Sequence, residues 1–133
     1  MSSLFCNCFL LNINYKKGLL VINIKEVPTY QVTISLGFRE QYTNEYHTIE
    51  KVIRICQEYC DNVGLCVTVT PTHFVYKEGN EDGCFIGLIN YPRFPSSLED
   101  ILNKAFNLAN ILKVKFNQNR VSIICNDKTY MIE

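Results

Sequence analysis

The sequence carries no GxSxG, HExxH, Walker or GxGxxG signature, and its only histidines are His47 and His73. A nucleophilic device needs a nucleophile, an oriented base and an oxyanion hole, and no spacing here marks such a set. Both histidines read as ordinary surface or turn residues. Net charge is also lacking: thirteen basic residues balance thirteen acidic ones. That excludes a dedicated DNA or RNA binder, which shows a basic surplus, and an acidic DNA mimic. Near-zero charge favours self-association. No apolar run approaches the ~20 residues of a membrane helix. Residues 4–11 are apolar but broken by Asn7, with no preceding positive charge and no small-residue cleavage site, so they do not form a signal peptide. Tryptophan is absent and arginine occurs four times, while Asn and Ile each occur fourteen times. This skew follows AT-rich codons. An asparagine therefore says little here, and each of Arg39, Arg54, Arg93 and Arg120 says more.

Seven cysteines are present, an odd number: Cys6, Cys8, Cys56, Cys60, Cys66, Cys84 and Cys125. Cys6 and Cys8 are too close for a CxxC ligand pair. Cys56 and Cys60 lie one helical turn apart and could share a metal with Cys66 or Cys84. The favoured reading is reduced, mostly buried thiols in a cytosolic protein, with no metal and no cofactor.

A chain of 133 residues makes one domain. Residues 1–24 stand apart as a leader. They form either an annotation artefact, with translation starting near Val21 after Lys16-Lys17-Gly18, or an extra strand on the sheet. Residues 25–133 read as a single α+β ligand-binding domain, a mostly antiparallel β-sheet with two α-helices. Alternation predicts strands over 29–37, 65–70, 73–77, 84–91, 120–125 and 128–132. Pro71-Thr72 is read as a turn, and 78–83 as a six-residue hairpin connection holding Glu78, Glu81 and Asp82 on a solvated loop. A helix is predicted over 47–61, capped by His47 or Thr48, with a stripe of Ile49, Val52, Ile53, Cys56, Tyr59 and Cys60. Gly64 is its natural stop. Ser96-Ser97-Leu98-Glu99 has the form of a capping box and opens a second helix reaching about Leu112.

The most informative block is 66–100. It ends in an aromatic-basic elbow, Asn90-Tyr91-Pro92-Arg93-Phe94-Pro95, that leads straight into the second helix. Two prolines fix the backbone around Arg93 and Phe94. Phe94 can stack on a purine, Arg93 can fork onto phosphate, and a helix N-terminus lies close by. That combination suits a flat, anionic nucleotide and suggests binding. On the second helix, Asn103, Asn107 and Asn110 share one polar face, and Asn103 is the member placed to hydrogen-bond a ligand.

CVTVTPT, then F-x-Y, an acidic-glycine hairpin, IGLINYPRFP, a capped helix and NRVSI together resemble the phage Thoeris anti-defence proteins that act as cyclic ADP-ribose sponges. The resemblance covers about residues 26–133. It implies a protein that is no enzyme and that sequesters cyclic ADP-ribose isomers uncleaved in the cytoplasm of the infected host. It also implies a homodimer or homohexamer, and a second, basic site for cyclic di- or trinucleotides. Carried over, Phe94 would stack on the ligand and Asn103 would hydrogen-bond it. Arg39 and Arg120 would form the basic site, with Arg93 assisting. Two rival readings remain: a phage interaction module that inhibits a host enzyme by surface contact, and a small enzyme using His73 or a cysteine-bound metal.

Overall fold

The computed structural model describes residues 11–17 and 20–133. The two cysteines Cys6 and Cys8, and much of the expected leader, lie outside them. An antiparallel hairpin comes first, β1 (Leu11–Lys17) and β2 (Leu20–Glu26). Its register sets Ile13 opposite Ile24 and Tyr15 opposite Ile22. This hairpin forms its own two-stranded sheet and does not join the main one.

The main sheet has five antiparallel strands in the order β4-β5-β3-β6-β7. These are β3 (Gln31–Gly37), β4 (Thr68–Tyr76), β5 (Gly79–Ile89), β6 (Val121–Ile124) and β7 (Thr129–Ile132). Two helices, α1 (Ile49–Val63) and α2 (Leu98–Lys115), cover one face. The α+β expectation holds. Strict alternation in β3 sends Val32, Ile34 and Leu36 into the core, where they meet Ile86 and Leu88 of β5 and Ile123 of β6. From α2 come Ile101, Ala105, Leu108, Ala109 and Leu112, the stripe its 3.6-residue period predicts. Among the described residues no helix covers the opposite sheet face. Thr33, Ser35, Phe85, Ile89, Ile124 and Met131 lie there, and Phe74 meets Phe85 edge-on at 5.9 Å.

Four local expectations are corrected. Residues 68–76 form one strand running through Pro71, because β4 is the sheet edge and a missing N–H costs no ladder bond there. The hairpin after it turns on Lys77-Glu78, with Glu78 at φ 63°, so Glu81 and Asp82 are strand residues. In α1 the buried set is Val52, Ile55 and Cys56, whereas Ile53 is half exposed. α2 continues to Lys115, and Phe116 beyond it is fully buried against Phe38 and His47. His47 is accordingly no surface residue: its ring is wedged between Phe116, Lys51 Nζ at 3.1 Å and Glu40 at 3.3 Å.

Candidate functional site

The elbow folds as a tight turn. The Phe94 amide donates to the Tyr91 carbonyl at 2.9 Å, closing Tyr91-Pro92-Arg93-Phe94. Asn90 anchors it and is the one buried polar residue among those described. Its Nδ2 donates to the Pro28 carbonyl at 2.8 Å, and its Oδ1 accepts the Ser96 amide at 2.8 Å. One side chain thus ties the segment before β3 to the turn before α2. Ser97, not Ser96, is the N-cap of α2, accepting the Asp100 amide at 3.1 Å.

Beside the elbow lies a cavity of about 300 Å³. Its floor is the end of α1, where Gly64 takes φ 72° and donates to the Cys60 carbonyl at 2.9 Å. That left-handed cap, which only glycine adopts without strain, turns the chain so that Leu65 and Cys66 line the cavity. Tyr91 and Phe94 form the aromatic wall, and Asp100 and Lys104 of α2 form the polar one. The last two pair at 3.1 Å, one helical turn apart. Tyr59 links the two helices behind them through its hydroxyl to the Lys104 carbonyl at 3.2 Å. The Cys66 thiol reaches the Tyr91 hydroxyl at 3.6 Å, and this contact, with partial burial, raises the Tyr91 pKa.

A row of thiols runs from this cavity to the core. Cys66 is exposed, Cys60 half-buried, and Cys56 and Cys84 buried. Burial pushes the last two up to about 12, and each thiol in the row feels the charge of the next. Among the described residues no three His, Cys, Asp or Glu side chains gather closely enough to hold a metal ion.

The residues singled out in the sequence fall at two ends of the sheet. Phe94 stands 68% exposed at the cavity mouth, and the Arg93 guanidinium lies over its ring at 5.3 Å. Asn103 is exposed on α2 next to Lys104 but is not part of the lining. Arg39 and Arg120 lie at the far end of β3 from the elbow. Arg39 Nη2 donates to the Tyr76 hydroxyl, which donates to Glu81 at 3.3 Å, and Glu81 in turn accepts the Arg39 amide at 3.0 Å. Gly37 makes room for this cluster, since a Cβ there would come within 2.5 Å of the Glu81 carboxylate. Arg120 pairs instead with Glu133 at 3.8 Å. The structure therefore unites Phe94 with Arg93 but gives Arg39 and Arg120 separate acids. His73, on the edge strand, is held between Asp82 at 2.7 Å and Asn80 at 2.9 Å. Asn90 was read only as the first residue of the elbow, and Asp100 and Lys104 went unread, though their four-residue spacing signals a pair on one helix face.

No protein-family model matches the sequence, and no curated protein matches it. Two solved structures match in fold. One is described as a phage SAM lyase in complex with S-methyl-5'-thioadenosine (TM-score 0.67, 20% identity, 78% of this chain and 88% of that one). The other is described as a phage SAM lyase in the apo state (TM-score 0.63, 19% identity, 77% and 87%). This corrects one expectation drawn from the sequence, that the chain is no enzyme. The architecture it shares is one that carries a lyase, so a missing acid–base motif is no argument against chemistry.

Proposed function

We propose that this chain is a phage counter-defence protein of the lyase kind, which takes S-adenosylmethionine into the cavity beside the elbow and releases S-methyl-5'-thioadenosine. The observation that carries the reading is the shared fold with a lyase that holds that thioether. The cavity fits the substrate in kind. An adenine can lie between Tyr91 and Phe94. The sulfonium centre gains from aromatic faces as other cations do. The Asp100–Lys104 pair offers opposite charges to the zwitterionic amino-acid end of the substrate.

The chemistry suits a site without a histidine base. When the bond from sulfur to the aminobutyryl Cγ breaks, both electrons stay on sulfur and a neutral thioether leaves. The carbon released can be taken by the substrate's own carboxylate oxygen, giving a lactone, so no outside nucleophile or proton acceptor is required. The work left to the protein is to hold the carboxylate behind that carbon and to exclude water from it as the thioether departs.

The test is incubation with S-adenosylmethionine and mass spectrometry of the products. Formation of S-methyl-5'-thioadenosine is expected, and Phe94→Ala should lower the second-order rate constant about 5- to 150-fold, the loss of one stacking contact of ~1–3 kcal/mol. No thioether product, and no binding of S-methyl-5'-thioadenosine by calorimetry, would refute the reading. A second ligand reading draws on Arg93, whose guanidinium lies over Phe94 and would pair with a pyrophosphate. In it the same mouth takes a cyclic ADP-ribose isomer, with Asn103 beside it. A cyclic di- or trinucleotide would fall to Arg39 and Arg120. Calorimetry with these ligands separates the two readings.

A further inference from the structure

Two thiols meet at the rim of the cavity. Cys60 and Cys66 both line it, and both also line a neighbouring hollow of about 250 Å³ between α1 and β4. The pair therefore stands together on the ridge that divides the two hollows. Core packing does not explain them. Structural cysteines are among the most buried residues, yet Cys66 is exposed and Cys60 only half-buried. Cys56, Cys84 and Cys125 are buried, as packing thiols should be.

The end of α1 brings the pair together. The Cys60 carbonyl accepts the Gly64 amide at 2.9 Å and the Leu65 amide at 3.4 Å, so the chain reverses over the last helical turn and returns to Cys60. Cys66 follows at once. On its other side, the Val67 amide is near enough to the Cys60 sulfur to favour the thiolate. Cys60 is thus in contact with the residues on both sides of Cys66. A disulfide needs Cα atoms about 4.4–6.8 Å apart, and a tight chain reversal brings residues within about 7 Å.

We infer that Cys60 and Cys66 are a paired-thiol site, which a hydroperoxide closes into a reversible disulfide at the cavity rim. Cys66, the exposed member, attacks first. Its thiolate takes the terminal oxygen of the hydroperoxide: an S–O bond forms, the O–O bond breaks, and water or an alcohol leaves with a proton from solvent. Cys60 is the resolving thiol. Its sulfur displaces hydroxide from the Cys66 sulfenic acid: S–S forms, S–O breaks, and the Cys60 proton leaves with the hydroxide as water. The two sulfurs give up two electrons, and the peroxide takes them. Burial, then the Cys66 charge, raises the Cys60 pKa, so Cys60 waits protonated while Cys66 reacts. Closure also consumes the S–H that reaches the Tyr91 hydroxyl, and the aromatic wall loses that contact.

The test uses the full chain, treated with hydrogen peroxide, alkylated with N-ethylmaleimide and cut after glutamate. Cleavage at Glu58 and Glu78 gives a fragment, 59–78, whose only cysteines are Cys60 and Cys66. It should appear unalkylated and two hydrogens lighter, and dithiothreitol should restore both alkylation sites. Cys60→Ser should abolish the bridge and leave Cys66 as a sulfenic acid that dimedone captures. Cys56→Ser should leave the bridge intact. A fragment alkylated at both thiols after peroxide overturns the inference, and so does loss of the bridge in Cys56→Ser. By calorimetry, oxidation of the wild type should weaken binding of S-methyl-5'-thioadenosine at least about fivefold, the worth of one hydrogen bond, an effect that rests on the lyase reading. Unchanged affinity overturns the effect on the cavity. A reduced protein that does not bind the thioether fails the lyase reading alone, because the fragment mass decides the disulfide by itself.

Discussion

Replacing Asn90 with alanine strikes the point where three parts of the fold meet. The wild-type side chain makes two hydrogen bonds of 2.8 Å, to the Pro28 carbonyl and from the Ser96 amide, at a position only 5% exposed. Alanine leaves both half-buried backbone groups without these partners. Each orphaned group costs about 1–3 kcal/mol, and water entering the space left by the amide recovers part of that, so about 2–4 kcal/mol is expected. A domain of this length loses about 3–4 °C of Tm per kcal/mol, which puts the fall at about 7–14 °C. Urea unfolding read by circular dichroism gives the free energy directly. Asn90→Asp is the informative companion. A carboxylate still accepts from Ser96 but faces the Pro28 oxygen without a proton, so this variant should recover stability as pH falls and the carboxyl becomes a donor. Ser96 lines the cavity, so ligand affinity should drop in both variants. A loss under about 0.5 kcal/mol for Asn90→Ala, the scale of an ordinary surface change, would refute the view that this residue organises the elbow.

Three further outcomes are expected. Leu108→Ala empties a fully buried position under the sheet and should cost about 2–5 kcal/mol in urea unfolding. Ser97→Ala removes the α2 cap and should cost about 1 kcal/mol by the same measurement. The pKa of His73 is raised by its hydrogen bonds to Asp82 and then Asn80. A raised folded pKa means that the clasp on the β4–β5 hairpin is complete below pH ~6.5 and is lost as pH climbs through the higher folded value. NMR titration should show His73 above the ordinary histidine range, and Asp82→Asn should bring it down.

The parts of the fold governed by periodicity were legible in the sequence. β3 alternates without exception and α2 keeps its stripe over four turns, because each faces one core on one side only. The misreadings arose where tertiary position overrides a local signal. Pro71 reads as a breaker in isolation, and only its place on the sheet edge makes it harmless. Glu78 itself takes the left-handed conformation that shortens the expected six-residue connection to a two-residue turn. Phe116 continues the α2 stripe four residues past Leu112, beyond the end predicted for that helix, and packs against Phe38 and His47, partners that only the tertiary structure reveals. The elbow was found through its prolines and aromatics, but Asn90 was hidden by the abundance of asparagine. Its importance comes from burial, a property of the folded chain. Motif reasoning looks for the protein's acids and bases, and the fold this chain shares with a lyase makes their absence from a sequence no argument against chemistry.

The thiol row gives the molecule an order of ageing. Cys66 meets solvent first and touches Tyr91, whereas Cys56 and Cys84 sit behind it as un-ionised thiols in the core. Oxidants attack thiolates, so damage begins at the exposed end and the deep pair stays inert while the fold is intact. A stored sample should therefore lose its cavity before it loses its secondary structure. Circular dichroism would certify as sound a preparation whose cavity has changed, and the fraction of Cys66 still reduced is the proper measure of its age.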